Sequence, residues 1–121
     1  MTTIPIAITI GDAQLVATLE KNATSDVLIS RLPISLPMLD LYDHELVHRF
    51  TEPLPVSGLT ACTPRRGDIV YWAPRNALAL FYGDGDEQFA DIQVVGRVDS
   101  GMDAVDHPGN VTVTFSLPVN T

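Results

Sequence analysis

The sequence is poor in the residues that would tie a protein to an oxidising compartment or to a polyanionic partner. Cys62 is the single cysteine, so no internal disulfide can form, and a reducing, cytoplasmic location is expected. Only 7 Lys and Arg stand against 15 Asp and Glu, giving a net charge of −8. This balance argues against nucleic acid and against an anionic membrane as partners. It names no partner and leaves the oligomeric state open.

Long apolar runs are absent as well. No stretch is long enough to span a bilayer, and the first residues lack the basic and apolar regions of a signal peptide. The 9 prolines and 8 glycines are spread along the chain, which favours many turns over long helices. A length of 121 residues with 45% hydrophobic residues predicts one domain over residues 1–121.

Alternating apolar residues predict strands at both ends of the chain. Isoleucine occupies every second position from 4 to 10, and Leu15, Ala17 and Leu19 continue the alternation after a Gly11-Asp12 turn. These two segments predict a hairpin. Residues 111–117 alternate in the same way and predict a half-buried final strand.

The segment after the first hairpin contains the best helix start. Thr24 or Ser25 is predicted to cap the helix, and Asp26 suits the positive end of its dipole. Pro33 ends the segment, because the residue before a proline is disfavoured in helical geometry. The sequence therefore predicts one short helix that covers an opening of the sheet.

The remaining chain predicts several short strands separated by turns. They cover residues 36–41, 45–50, 69–72, 77–82 and 92–98. Residues 51–66 are rich in Pro, Ser, Gly and Thr and predict a long loop of the kind that is often functional. Many short strands with one helix indicate a mostly-β fold, and closure into a small barrel would remove exposed strand edges.

The segment His44-Glu45-Leu46-Val47-His48 matches the H-E-x-x-H pattern of zinc hydrolases. That chemistry requires a helix, which places both histidines on one face with the glutamate as general base. Residues 42–44 instead suggest a turn, and on a strand the histidines would lie roughly 13 Å apart. Since no third ligand is evident, no metal site is predicted, and a zinc hydrolase is the least favoured function.

Aromatic residues are concentrated in two predicted neighbouring strands. Tyr71 and Trp72 lie on the first, and Phe81 and Tyr82 on the second. These side chains can fill a core or line an apolar pocket, and neighbours on one strand point to opposite faces. The pattern does not tell which face is the pocket.

Three blocks of sequence resemble the small bacterial cyclophilin-like proteins. They are residues 67–74, reading Gly-Asp-Ile-Val-Tyr-Trp-Ala-Pro, residues 76–82, reading Asn-Ala-Leu-Ala-Leu-Phe-Tyr, and residues 95–102, reading Val-Gly-Arg-Val-Asp-Ser-Gly-Met. Residues 32–36, followed by Leu41, Tyr42 and Glu45, are similar to the same family. The resemblance covers most of the chain and implies an eight-stranded cyclophilin-like barrel with a strand at residues 44–48.

The resemblance also implies two candidate functions. Val47-His48-Arg49-Phe50 is similar to the cyclophilin Phe-His-Arg segment that carries the catalytic arginine of prolyl isomerases, which nominates Arg49. Val47 replaces the leading Phe, and the segment from Gly67 to Phe81 is shorter than in cyclophilins. We therefore expect a cyclophilin-like module that binds a small molecule or peptide in an apolar cleft, without a cofactor. The predicted cleft residues are His48, Tyr71, Trp72, Phe81 and Tyr82; a prolyl isomerase using Arg49 is the alternative.

Overall fold

The structure, a computed structural model, describes residues 3–118. The helix α1 spans Ala23–Ser30, and short 3₁₀ turns occupy Ala73–Arg75 and Met102–Ala104. The strands are β1 (Thr3–Ile10), β2 (Ala13–Glu20), β3 (Ile34–Leu41), β4 (Glu45–Arg49), β5 (Thr60–Cys62), β6 (Asp68–Trp72), β7 (Ala77–Phe81), β8 (Phe89–Ser100) and β9 (Val111–Ser116). Within these residues, no helix has the length and apolar character needed to cross a membrane.

Eight of the strands form a closed antiparallel barrel. Their order is β2-β1-β9-β3-β4-β7-β6-β8, and β8 pairs back with β2 to complete the ring. The predicted mostly-β barrel of eight strands with one helix is therefore confirmed. The short strand β5, which lies inside the predicted loop, pairs with the first half of β8 and stands outside the ring.

The interior of the barrel is filled by side chains. Ile6, Ile8 and Ile10 of β1 are buried, as their alternation predicts, and they pack with Leu15 and Leu19 of the paired strand β2. The void left at this end of the barrel measures only about 10 Å³. A space of that size holds at most one water molecule, so this void offers no room for a ligand.

The helix covers one end of this barrel, as predicted, but its cap lies two or three residues earlier than expected. Asn22 is the N-cap residue, and its side-chain oxygen accepts a hydrogen bond from the Ser25 backbone N–H at 2.9 Å. Thr24 and Ser25, the predicted caps, are buried instead, and the Ser25 hydroxyl bonds the Val95 carbonyl at 3.2 Å. Leu28 reaches the barrel core from the same helix.

The predicted loop over residues 51–66 is held against the barrel by polar contacts. The Leu54 backbone N–H donates to the Tyr71 hydroxyl at 2.9 Å, and the Ser57 N–H donates to the Gln93 side chain at 2.8 Å. The Thr24 hydroxyl donates to the Pro55 carbonyl at 2.6 Å. These bonds fix the first half of the loop over the helical end of the barrel.

A second network holds the segment that follows the 3₁₀ turn at residues 102–104. Tyr82 donates its hydroxyl proton to Asp40, which also accepts from the Gly109 N–H at 2.9 Å. The Asp40 N–H donates to the Asn110 side chain at 2.9 Å. Burial, followed by the neighbouring Asp40 carboxylate, raises the pKa of the Tyr82 phenol well above its ordinary value.

Tyr82→Phe is expected to lower the free energy of unfolding by about 1 kcal/mol at neutral pH, because it removes one bond to the Asp40 carboxylate. Since the folded state favours the neutral phenol, this contribution is complete below the unfolded tyrosine pKa. It fades as pH rises above about 10. Urea denaturation of both proteins at neutral and alkaline pH measures this. If the natural protein gained stability over Tyr82→Phe as pH rose above neutral, the prediction would be contradicted.

Candidate functional site

The outer face of the barrel carries a second apolar cluster, separate from the core. Val47, Ala79 and Val70 lie side by side on β4, β7 and β6, because the register pairs Val47 with Ala79 and Ala79 with Val70. Leu39 of β3 pairs with Val47 and extends this row. These side chains alternate with core residues and so point away from the barrel interior. Val70 and Ala79 are buried on this face, whereas Val47 is half-buried and Leu39 is exposed. An exposed apolar surface beside buried apolar residues is typical of a binding site.

A groove runs along this face, lined by Pro64 and the segment between β7 and β8 and, at the other end of the strand order, by β3 and the start of β9. The Trp72 indole N–H donates to the Ala90 carbonyl at 3.1 Å, and its ring packs edge-on against Phe89 at 5.4 Å. The Gly85 N–H donates to the Pro64 carbonyl at 2.8 Å, which joins the segment between β7 and β8 to the end of the loop over residues 51–66. This open groove has a volume of about 950 Å³. This volume lies at the upper end of the range of small-molecule sites.

The groove is mainly apolar, with charged residues at only three lining positions. The apolar and aromatic lining residues are Pro37, Met38, Leu39, Leu41, Tyr42, Val47, Pro64, Val70, Trp72, Ala77, Ala79, Phe81, Phe89, Ile92 and Val111. The charged residues are Glu45, Glu87 and Arg49. His48, Asn110 and Thr112 complete the lining. An apolar surface with a few polar groups is typical of a binding site that fixes the orientation of its ligand.

Glu45 is the most unusual of the charged residues because it is only 9% exposed. Its carboxylate lies 3.2 Å from His44 Nε2, and the His44 ring stacks on Phe81 at 5.6 Å. Burial raises the pKa of Glu45, His44 opposes that shift, and the nearby Glu87 and Asp86 add to it. A buried carboxylate facing an apolar groove is costly for the fold, which is common at functional sites.

Glu45→Gln is expected to raise the free energy of unfolding at neutral pH by about 0.5–2 kcal/mol. The raised pKa means that ionisation of Glu45 opposes folding. This destabilisation therefore reaches its full size at pH values above the pKa of Glu45 in the folded state. It disappears as pH falls toward the pKa of glutamate in the unfolded state, about 4.3.

Thermal unfolding of both proteins as a function of pH measures this gain. Glu20→Gln, at the exposed end of β2, is the matched control and should leave stability unchanged. A variant that is less stable than the natural protein at neutral pH would show that the His44 contact outweighs the cost of burial.

Arg49 lies on the same strand and the same outer face as Glu45, four residues further along. Its side chain is exposed, and no carboxylate of residues 3–118 forms a salt bridge with it. Beside it, His48 Nδ1 lies 2.9 Å from the Pro37 carbonyl, and the His48 ring contacts Phe50 edge-on at 4.8 Å. The groove therefore has an acidic end at Glu45 and a basic end at Arg49.

The structure brings together four of the six residues nominated from the sequence. Trp72, Phe81, His48 and Arg49 line the groove. Tyr71 of β6 and Tyr82, which directly follows β7, do not, because both pack in the barrel core. Tyr71 is fully buried, and its hydroxyl holds the long loop through the Leu54 bond.

Several groove residues were not nominated from the sequence, chiefly Val47, Val70, Ala79 and the buried Glu45. One signal was available, since residues 69–72 and 77–81 are apolar at every position rather than at alternate positions. Such strands have both faces covered. The burial of Glu45 had no local signal, because it depends on pairing with Phe81 of β7.

The H-E-x-x-H segment does not adopt the helix that zinc hydrolases need. His44 ends the predicted turn, and Glu45–Arg49 is strand β4, as the family resemblance implies. Among residues 3–118, no group of three potential metal-binding side chains comes together. The two histidines serve other contacts, His44 with Glu45 and His48 with Pro37.

Comparison with known proteins identifies the fold and a family. The family model described as the cyclophilin-like family matches residues 8–116. A solved structure of McbB in complex with tryptophan is similar to this chain, with a TM-score of 0.68 and 18% identity. The similarity covers 96% of this chain but 45% of McbB, so the chain spans about half the length of that protein. No curated protein matches the sequence.

Proposed function

This chain belongs to the cyclophilin-like family, and we propose that it binds an apolar small molecule or short peptide in the groove on its outer face. The observation that carries the proposal is the contrast between the two faces of the same strands. The interior void is about 10 Å³, whereas the outer cavity is about 950 Å³ and mainly apolar. A hydrophobic ligand would cover Leu39, which is exposed, and Val47, which is half-buried.

The lining supports a ligand that carries aromatic or large aliphatic groups. Trp72, Phe81 and Phe89 offer ring faces and edges within one cavity, and aromatic pairs add to the energy of apolar burial. McbB was solved with tryptophan, which is an aromatic amino acid of the size that such a cavity admits. At 18% identity this likeness supports a ligand class for this chain without fixing its identity.

Trp72 provides a direct test because it is the single tryptophan of the chain and lies in the groove. Titration with N-acetyl-Phe-Ala-Phe-amide, which contains no tryptophan, should change the fluorescence of Trp72 saturably. N-acetyl-Gly-Gly-Gly-amide supplies the same backbone without apolar side chains and should produce no response. If neither peptide changes the fluorescence and calorimetry detects no heat, the groove does not bind apolar peptides and the proposal fails.

A prolyl isomerase remains the second candidate, and the position of Arg49 favours it. The guanidinium lines an apolar groove and has no acidic partner among residues 3–118, so it is free to donate to a bound amide. A donor to the prolyl nitrogen weakens amide resonance and lowers the barrier to rotation. A protease-coupled assay with a proline peptide tests this function. Activity that Arg49→Gln leaves intact would remove the role of Arg49, and no activity would remove the candidate.

A further inference from the structure

The charges of the groove are arranged along one strand rather than scattered around its rim. Glu45 and Arg49 both belong to β4, point to its outer face and line the same cavity. Glu87 adds a second carboxylate near Glu45, whereas Arg49 is the only Lys or Arg among the lining residues that the structure describes. A ligand in this groove therefore meets negative charge at one end and positive charge at the other.

The spacing of these charges exceeds the size of one amino acid. Four residues of strand separate Glu45 from Arg49, which corresponds to roughly 13 Å between their Cα atoms. The ammonium and carboxylate of a single amino acid are attached to one Cα and cannot contact both ends. An extended peptide lengthens by about 3.3–3.6 Å per residue, so three residues place their termini roughly 10 Å apart. The long, exposed side chain of Arg49 covers the remaining distance.

We propose that the groove selects short apolar peptides with free termini and binds them in one direction, with the N-terminal ammonium at Glu45 and the C-terminal carboxylate at Arg49. This inference rests on the proposed binding function and adds the ligand class and its orientation. The apolar row between the two ends accepts the side chains. Charge complementarity orients the peptide.

The two ends are expected to contribute unequally. Glu45 is largely buried, and a charge-assisted bond to a buried carboxylate is strong. Arg49 is exposed, and exposed ion pairs are weak because water and salt screen them. Acetylation of the peptide N-terminus should therefore weaken binding about tenfold, and amidation of the C-terminus about threefold.

The experiment measures the affinity of Phe-Ala-Phe in four forms: free, N-acetylated, C-amidated and doubly capped. It uses the natural protein, Glu45→Gln and Arg49→Gln. Glu45→Gln should lose most of the preference for the free over the N-acetylated peptide, because only Glu87 remains at that end, while still distinguishing the C-terminal amide. Arg49→Gln should bind the free and the C-amidated peptide equally, while still distinguishing the N-acetylated peptide. Free phenylalanine should bind more weakly than the tripeptide, because it reaches only one charged end.

Two control variants separate local from general effects of charge. Arg75→Gln removes an exposed arginine that does not line the groove, and Glu20→Gln removes an exposed carboxylate on β2. Both should keep the affinities of the natural protein for all four peptides. If either control variant abolished the loss of affinity caused by capping a terminus, that loss would depend on the net charge of the protein and the inference would be overturned.

The remaining outcomes distinguish this inference from the proposed function. Equal affinity for all four forms would be consistent with an apolar binding groove but would overturn the proposed selection of free termini. If Glu45→Gln or Arg49→Gln alone abolished the effects of both the N-terminal and the C-terminal cap, the proposed direction of peptide binding would be overturned. Failure of every form to bind, including the doubly capped peptide, would remove the proposed function itself.

Discussion

Replacing Gly96 with alanine is expected to lower the free energy of unfolding by about 3 kcal/mol, at the upper end of the usual cost of overpacking. Gly96 pairs with Leu19 where β8 meets β2, the contact that closes the barrel. A Cβ at this position would meet the Thr18 carbonyl oxygen, the Leu19 Cα at 2.9 Å and the Leu19 Cδ2 at 2.8 Å. Two of these atoms belong to the backbone of the paired strand, so relief requires the two strands to separate.

Urea denaturation measures this loss, and Gly11→Ala is its control. Gly11 lies in the β1–β2 turn at φ +57°, and no atom lies within 4 Å of an added Cβ there. That substitution should cost only about 1 kcal/mol, for the left-handed backbone. Gly96→Ala with stability close to that of the Gly11 variant would show that the closure of the barrel tolerates a side chain.

Val47→Trp is expected to weaken binding of N-acetyl-Phe-Ala-Phe-amide at least about tenfold while the protein stays folded. Val47 lies between Leu39 and Ala79 on the groove floor and is half-buried, so a larger side chain extends into the cavity. The indole would occupy space that the ligand needs. Steric conflict in a packed site costs about 1–3 kcal/mol, and tenfold in affinity corresponds to about 1.4 kcal/mol.

The matched control is Val16→Trp, since Val16 is also a strand valine on an outer face. It is 50% exposed, lies on β2 and is not part of the groove lining. Calorimetry with this variant should give the affinity of the natural protein, and circular dichroism should show both variants folded. Equal affinities for the two variants would place the ligand away from β4.

The strands could be predicted from local sequence because burial leaves a pattern in it. A strand with one buried face alternates apolar and polar residues, and a strand with two buried faces is a continuous apolar run. The isoleucines of β1 alternate with half-buried or exposed residues, and the apolar runs of β6 and β7 are covered on both faces. The helix boundary was less accurate. Asn22 caps α1 where Thr24 or Ser25 was expected, because both of those side chains bond the loop and β8 instead.

The site was less predictable because it depends on pairing between distant strands. Trp72 and Tyr71 are neighbours with similar chemistry, and only the register of β6 with β7 and β8 decides which of them faces the groove. The strand β5 forms because the first half of β8 extends past the closed ring and offers a free edge. No local pattern over residues 60–62 predicts that edge.

The most direct test of an outer binding groove is an amide ¹H–¹⁵N correlation spectrum recorded during titration with N-acetyl-Phe-Ala-Phe-amide. Trp72 contributes the single indole N–H signal of the chain, so one peak reports the groove wall. The largest shifts should occur at this peak and in β4 and β7, while β1 and the helix change little. Shifts confined to β1 and α1, with an unchanged Trp72 indole signal, would contradict the outer groove as the binding site.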